Sequence, residues 1–337
     1  MNKITFPRVG YDGIERSKKE IEDWYVRRIV VDIRIKLNKV RKVYSAISEL
    51  EENKLTTKED LAVLRYFQKN TIEKILLCPP EKIRKTIKNF EYERKKEGKE
   101  KEDNNEDFRK AIADAFHYNY YRQDVLVELA KRLNVKVCPY CNMQYTLFAE
   151  KKDGKHKVKQ LAKLQFDHFV NKNDYPMFSM SLYNLIPSCA VCNQGKYKKE
   201  LPLALNPYYN DIQKLFHFEV KMPLPLLMGK KEKDAIKIDV VCNDIKNGND
   251  VTIYDDTFHI STLYSRHKDI VQEIYEKAYI APSKKDIADL LHTDEKRLSE
   301  LWYGTYLSEK DIEKRPLTKF IQDIKKQCEE YTNGKTK

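Results

Sequence analysis

Two Cys-x-x-Cys pairs, Cys138-Pro-Tyr-Cys141 and Cys189-Ala-Val-Cys192, constrain this chain more than any other feature. Four thiols in two knuckles make a closed tetrahedral site for zinc, so the fold must bring the two pairs together. The 47 residues between Cys141 and Cys189 exceed the roughly 15–20 of a plain zinc ribbon. A connection that long is ordinarily functional or disordered rather than idle, and one ion holding both its feet fixes where its far end lies. The chain has seven cysteines, and in a reducing compartment the knuckle spacing favours metal over disulfides. Cys78, Cys242 and Cys328 stand alone and read as buried or inert thiols.

Between the knuckles lies Asp167-His168, and Asn193 directly follows the last cysteine. Histidine is the natural group to take a proton from water near neutral pH. A carboxylate and an amide oxygen are hard donors that suit Mg²⁺ or Mn²⁺ rather than a second zinc. Successive strand residues point to opposite faces, so Asp167 and His168 meet at one ligand only if the strand breaks there. The polar run Asn171-Lys-Asn-Asp174 permits that break. Net charge is +12, and residues 131–200 hold 13 Lys and Arg against 5 Asp and Glu. Positive charge beside a metal site points to a phosphate-bearing partner; taken singly, each lysine there also reads as solvated surface.

The expected fold class is α+β, mostly α, in three regions: a helical stretch over 1–135, a zinc-braced core over 136–204, and a mixed strand and helix region over 205–337. Ser17-x-x-Glu20 and Thr56-x-x-Glu59 read as capping boxes, with Pro79-Pro80 ending the second helix. Residues 91–107 are almost all charged and read as a solvated helix end and loop. Helical spacing resumes from Phe108 to Leu133, which places Tyr118, Tyr120 and Tyr121 on a core face rather than in base stacking. In the core, Gln144–Glu150 and Val158–Phe169 read as two extended segments joined by a Lys152-Asp153-Gly154 turn, and a helix opens beyond Asn193. Strands are expected over Phe216–Met222, Ile236–Val241 and Val251–Tyr254. Helices are expected from Ile260 onward, with Gly304 and Pro316 separating two short ones. The six histidines other than His168 read as structural or surface. No apolar run approaches the ~20 residues that cross a bilayer, and Met1–Arg8 has no secretory h-region, so a cytoplasmic protein without membrane partners is expected.

The order Asp167-His168-Phe169, Asn184-Leu185-Ile186-Pro187 and Cys189-x-x-Cys192-Asn193-x-x-Lys196 resembles the HNH nuclease motif of the ββα-metal (His-Me finger) superfamily, in the variant with Asn at the third position. The resemblance covers about residues 136–200. It implies His168 as general base, Asn184 as organiser of the intervening loop, and Asp167 and Asn193 as ligands of a catalytic Mg²⁺ or Mn²⁺. Cys138, Cys141, Cys189 and Cys192 would hold a structural zinc. Lys196 matches the family's usual basic residue, and with Lys198 and Lys199 is a candidate phosphate contact. The implied reaction is hydrolysis of DNA, His168 taking a proton from water and the products carrying 5′ phosphate and 3′ hydroxyl. The glycines often found after the first His are absent; Asn171-Lys-Asn-Asp-Tyr-Pro stands there.

The wider layout resembles the HNH effectors of Septu-type and retron-linked antiphage systems. It carries Cys-Pro-Tyr-Cys-Asn, Leu203-Ala-Leu-Asn206-Pro-Tyr-Tyr, Tyr264-x-x-His267 and Arg315-Pro-Leu. That resemblance implies an SMC- or ABC-like ATPase as partner. The alternatives are a zinc-braced nucleic-acid-binding subunit without activity and an RNA-cutting toxin.

Overall fold

A computed structural model of the chain describes residues 3–50, 64, 65, 67, 72–95, 106–152, 158–221, 236–280 and 284–332. The capping box at the N-terminal end forms as its residue types dictate. Ser17 N–H donates to Glu20 Oε2 at 2.7 Å, and Glu20 N–H donates to Ser17 Oγ at 3.3 Å. The helix it opens, α1, spans Lys18–Leu50. Ile21, Tyr25, Ile29, Ile33 and Leu37 recur at the four-residue spacing of one helix face, and all are buried. Thr56-x-x-Glu59 lies outside the described residues. α2 (Ile72–Leu76) stops before Pro79, and Pro80 opens α3 (Pro80–Lys95) at the first helical position, where a missing N–H costs nothing. Of the charged stretch 91–107, residues 91–95 finish α3 and 96–105 lie outside the described residues.

The helix expected from Phe108 to Leu133 is three: α4 (Glu106–Phe116), α5 (Tyr118–Tyr121) and α6 (Val125–Leu133). The first break falls at His117, whose φ of 49° is left-handed and turns the chain at the end of α4, and the second at Arg122–Asp124. A periodicity of 3.6 does not reveal such a turn, because the apolar positions resume on the far side of it.

All four sheets among the described residues are two-stranded and antiparallel: β1–β2 (Arg8–Val9 with Glu15–Arg16), β3–β4 (Phe148–Lys152 with Val158–Ala162), β5–β6 (Gln165–His168 with Leu185–Ser188) and β7–β8 (Phe216–Lys221 with Lys237–Cys242). The extended segment expected over Val158–Phe169 is thus two strands with different partners. The first ladder ends where Lys163 N–H donates to Leu147 C=O at 2.7 Å. The second pairs Asp167 with Ile186 and His168 with Leu185. β6 is followed at once by α7 (Ala190–Lys196), so the chain between His168 and Lys196 runs strand, strand, helix. The turn at 152–154 lies at the edge of the described residues and is not among them beyond Lys152.

The strand expected at Val251–Tyr254 is instead part of α8 (Gly248–Phe258), whose buried Val251, Tyr254 and Phe258 keep helical spacing. Five further α-helices follow among the described residues: α9 (Ile260–Tyr264), α10 (Lys268–Ile280), α11 (Lys284–Leu290), α12 (Glu295–Tyr303) and α13 (Thr318–Thr332). Gly304 ends α12 at φ 64°, a conformation glycine takes without strain. α13 covers the open edge of β7. Asp323 Oδ2 accepts from Phe218 N–H and Gln327 Oε1 accepts from Val220 N–H, each at 3.0 Å, which satisfies an edge that would otherwise invite another strand. Buried side chains from 1–135, 136–204 and 205–337 join one hydrophobic cluster, from Ile4 to Cys328. No described helix is long and apolar enough to cross a membrane.

Candidate metal centre and adjoining cleft

Cys138, Cys141, Cys189 and Cys192 are all buried, and their Sγ atoms lie within 4.8 Å of one another. A tetrahedron of thiolates about 2.3 Å from zinc has edges near 3.8 Å, and Cys141 Sγ is 3.9 Å from Cys189 Sγ. The four cysteines are therefore positioned to bind one metal ion, and the donor set and spacing fit zinc. Each knuckle is a tight turn that aims two sulfurs inward. In the first, Asn142 takes φ 51° and its N–H donates to Cys138 C=O at 2.9 Å. In the second, Cys189 caps α7, its Sγ accepting from Cys192 N–H at 3.4 Å.

The C-terminal region grips the first knuckle from outside. Tyr264 hydroxyl donates to Cys141 C=O at 2.7 Å, and Tyr254 hydroxyl donates to Tyr140 C=O. Asn142 Nδ2 donates to Ile312 C=O at 2.9 Å, while Asn142 Oδ1 accepts from Lys319 N–H at 3.1 Å. Among the residues of the tail motifs, Tyr264 is thus a clamp on the metal centre. Arg315 and Asn206 make internal bonds, to Gly304 C=O at 2.9 Å and Tyr183 C=O at 3.4 Å.

A second layer ties the metal centre to Asp167. Tyr140, inside the first knuckle, stacks on Phe258 at 4.6 Å and donates its hydroxyl to Asp167 Oδ2 at 2.8 Å. Lys196, at the end of α7, lies 3.3 Å from Asp167 Oδ1 and donates to His168 C=O at 2.7 Å. Lys196 is 1% exposed. The expected surface contact for phosphate is a buried cation neutralising a buried carboxylate. Burial pushes the Asp167 carboxyl above the usual range, and the Lys196 charge and the two hydrogen bonds pull it back.

His168 stands at the end of β5, half-buried, with Nε2 3.0 Å from Ser179 C=O. A carbonyl only accepts, so Nε2 carries the proton and the neutral ring keeps its lone pair on Nδ1. Tyr118 packs edge-on against this ring, centroids 4.6 Å apart. Burial and the Lys172 ammonium push His168 down to about 3, against the smaller opposing effect of the Ser179 bond. The loop between β5 and β6 is tied at its root by Asn184. Asn184 Oδ1 accepts from Val170 N–H at 2.6 Å, and Nδ2 donates to Val170 C=O and Phe178 C=O, both at 3.0 Å. That loop is also packed against α1, where Tyr25 hydroxyl donates to Met180 C=O at 3.0 Å.

Asp167, His168, Asn193 and Lys198 line one open cleft of about 680 Å³, between α5–α6 on one side and β5–α7 on the other. Asn193 Nδ2 donates to Gln165 Oε1 at 2.6 Å, which leaves the amide oxygen as its group with lone pairs to offer. Asn184 and Lys196 lie behind the cleft wall. Lys199 does not line it and points to Asp256 C=O at 3.3 Å. The sequence reading misses Tyr140, Tyr118, Ser179, Arg122 and Lys172. Of the tyrosines placed on a core face by spacing, Tyr121 is buried and Tyr118 packs against the core while also lining the cleft, whereas Tyr120 is exposed. Tyr140 alone carried a readable signal, being an aromatic hydroxyl inside a metal knuckle. No family model, curated protein or solved structure matches the chain.

Proposed function

We propose that this chain is a metal-dependent endonuclease of the HNH kind that hydrolyses DNA phosphodiester bonds. The observation that carries the reading is the His168 Nε2–H bond to Ser179 C=O, which supports a neutral imidazole with a free Nδ1 in a basic cleft. In this reading Nδ1 takes a proton from a water that attacks phosphorus. Asn184 holds the loop that supplies Ser179's neighbours, and Tyr118 fixes the ring against rotation. A phosphate beside Lys172 offsets one of the causes that depress His168, so the base becomes a better proton acceptor when substrate arrives.

Asp167 and Asn193 would hold the catalytic cation. One carboxylate and one amide make the sparse, hard donor set that suits Mg²⁺, which keeps several of its waters. The Asp167 oxygens have about four lone-pair sites and use two, for Tyr140 and Lys196. A divalent ion there supplies charge to offset the developing negative charge on phosphate and leaving oxygen. The zinc is closed and structural. A partner ATPase in a bacterial antiphage system is the setting that the tail motifs support.

The test is nicking of supercoiled plasmid with Mg²⁺ or Mn²⁺ and without divalent cation, alone and with the product of any adjacent ATPase gene. Cation-dependent nicks with 5′ phosphate and 3′ hydroxyl ends support the reading. Wild type and His168→Ala behaving alike under every condition would overturn it.

A further inference from the structure

Tyr197 follows α7 with φ 46° and ψ −116°, a backbone conformation that residues with a Cβ rarely adopt. Its ring packs into no core: the residue is 74% exposed and lines the His168 cleft. Strain of this kind persists only where the surrounding structure imposes it, and it concentrates at sites of function. Its N–H closes the helix, donating to Asn193 C=O at 3.3 Å.

Cations accompany the ring. Lys198 Nζ sits 5.5 Å from the Tyr197 ring centroid, and Lys172 Nζ sits 4.1 Å from that of Tyr118. Arg122 lines the same cleft from the end of α5. Among the described residues none of these three cations has a carboxylate partner. The one acid in the lining, Asp167, is already paired with Lys196. The cleft therefore combines an exposed aromatic face with surplus positive charge. Paired bases in a duplex keep their faces stacked inside, whereas unpaired bases present them, and aromatic rings beside a basic groove are how proteins take unpaired strands.

We infer that the cleft takes single-stranded or locally unpaired nucleic acid, with one base stacked on Tyr197 and the adjoining phosphates held by Arg122 and Lys172. This deepens the nuclease reading by naming the form of its substrate, and it rests on that reading only for the claim that the bound strand is then cut.

The experiment is fluorescence anisotropy on the full chain, zinc-loaded and without Mg²⁺, using a labelled DNA strand, the same sequence as duplex, and its RNA counterpart. The single strand is expected to bind about 10-fold tighter than the duplex. Tyr197→Gly relieves the positive φ, so its melting temperature stays equal to wild type or rises, while single-strand affinity falls about 5- to 100-fold. Tyr197→Phe keeps the ring and binds as wild type. Lys172→Gln and Arg122→Gln each lower the salt dependence of single-strand binding by about 0.7 in log–log slope. Equal affinity for duplex and single strand, or unchanged binding by Tyr197→Gly, overturns the inference. Binding as described, with no cleavage of the bound strand in a parallel reaction containing Mg²⁺ or Mn²⁺, leaves the inference standing and sinks the nuclease reading. Binding of RNA strands alone also supports the inference and removes DNA as the substrate.

Discussion

The four-cysteine cluster and the His168 cleft sit side by side and are built on opposite terms. Around the cluster every approach is closed: the sulfurs are buried, the first knuckle is held by Tyr264, Tyr254 and Asn142, and the second caps α7. In the cleft the polar groups are held from behind and left open in front. Asp167 is fixed by Tyr140 and Lys196, His168 by Ser179 and Tyr118, and Asn193 by Gln165. The contrast teaches that the rigid half exists to position the open half. Cys192 adjoins Asn193, and Tyr140 spans from the knuckle to Asp167, so order at the sulfurs is passed on within one residue or one side chain.

The largest expected effect comes from breaking the closed half. Cys192→Ser removes a thiolate from a site that contributes on the order of 10 kcal/mol when zinc is bound, comparable to the whole stability of a domain. Metal analysis and thermal unfolding should show lost zinc and no cooperative transition. Next is the buried pair. Lys196→Met leaves Asp167 charged and uncompensated, at a cost of about 3–5 kcal/mol. The double variant Lys196→Met/Asp167→Asn should recover much of that in denaturant unfolding; additive losses would mean the two do not form a pair. Tyr140→Phe deletes one hydrogen bond to a carboxylate, about 2 kcal/mol, and should lower cleavage while zinc content stays at wild type.

The smallest effect is a pH dependence. His168 is held below its usual value, to about 3, so between about pH 6.5 and 3 the unfolded chain binds a proton that the folded chain refuses. Stability from this group is complete above pH 6.5 and declines as pH falls. The loss is on the order of 1 kcal/mol by pH 5, discounted for partial exposure to solvent. His168→Gln should flatten that part of the stability profile, measured as the difference from wild type in thermal melts.

The sequence makes the cluster legible because metal chemistry fixes ligand type and spacing along the chain itself. The same holds for the capping box at Ser17 and Glu20, which is local. What it hides is pairing. β6 occupies Leu185–Ser188, a four-residue, fully buried run containing Pro187, and no alternation marks such a strand. The roles of Tyr118 and Lys196 depend on contacts with His168 and Asp167 from elsewhere in the chain, 50 and 29 residues away in sequence. A lysine after a metal knuckle reads as surface charge; its burial follows from the carboxylate that the fold delivers to it. The three-helix break at His117 is hidden likewise, since a left-handed residue leaves no periodic trace.

The central claim is that His168 is the proton acceptor of a hydrolytic cleft that the metal cluster holds in shape. Its most direct test is the single-turnover cleavage rate of wild type and His168→Ala, matched for zinc content and melting temperature. The account predicts a loss of about 10²–10⁴-fold in the variant. Equal rates at equal zinc and equal stability would contradict it.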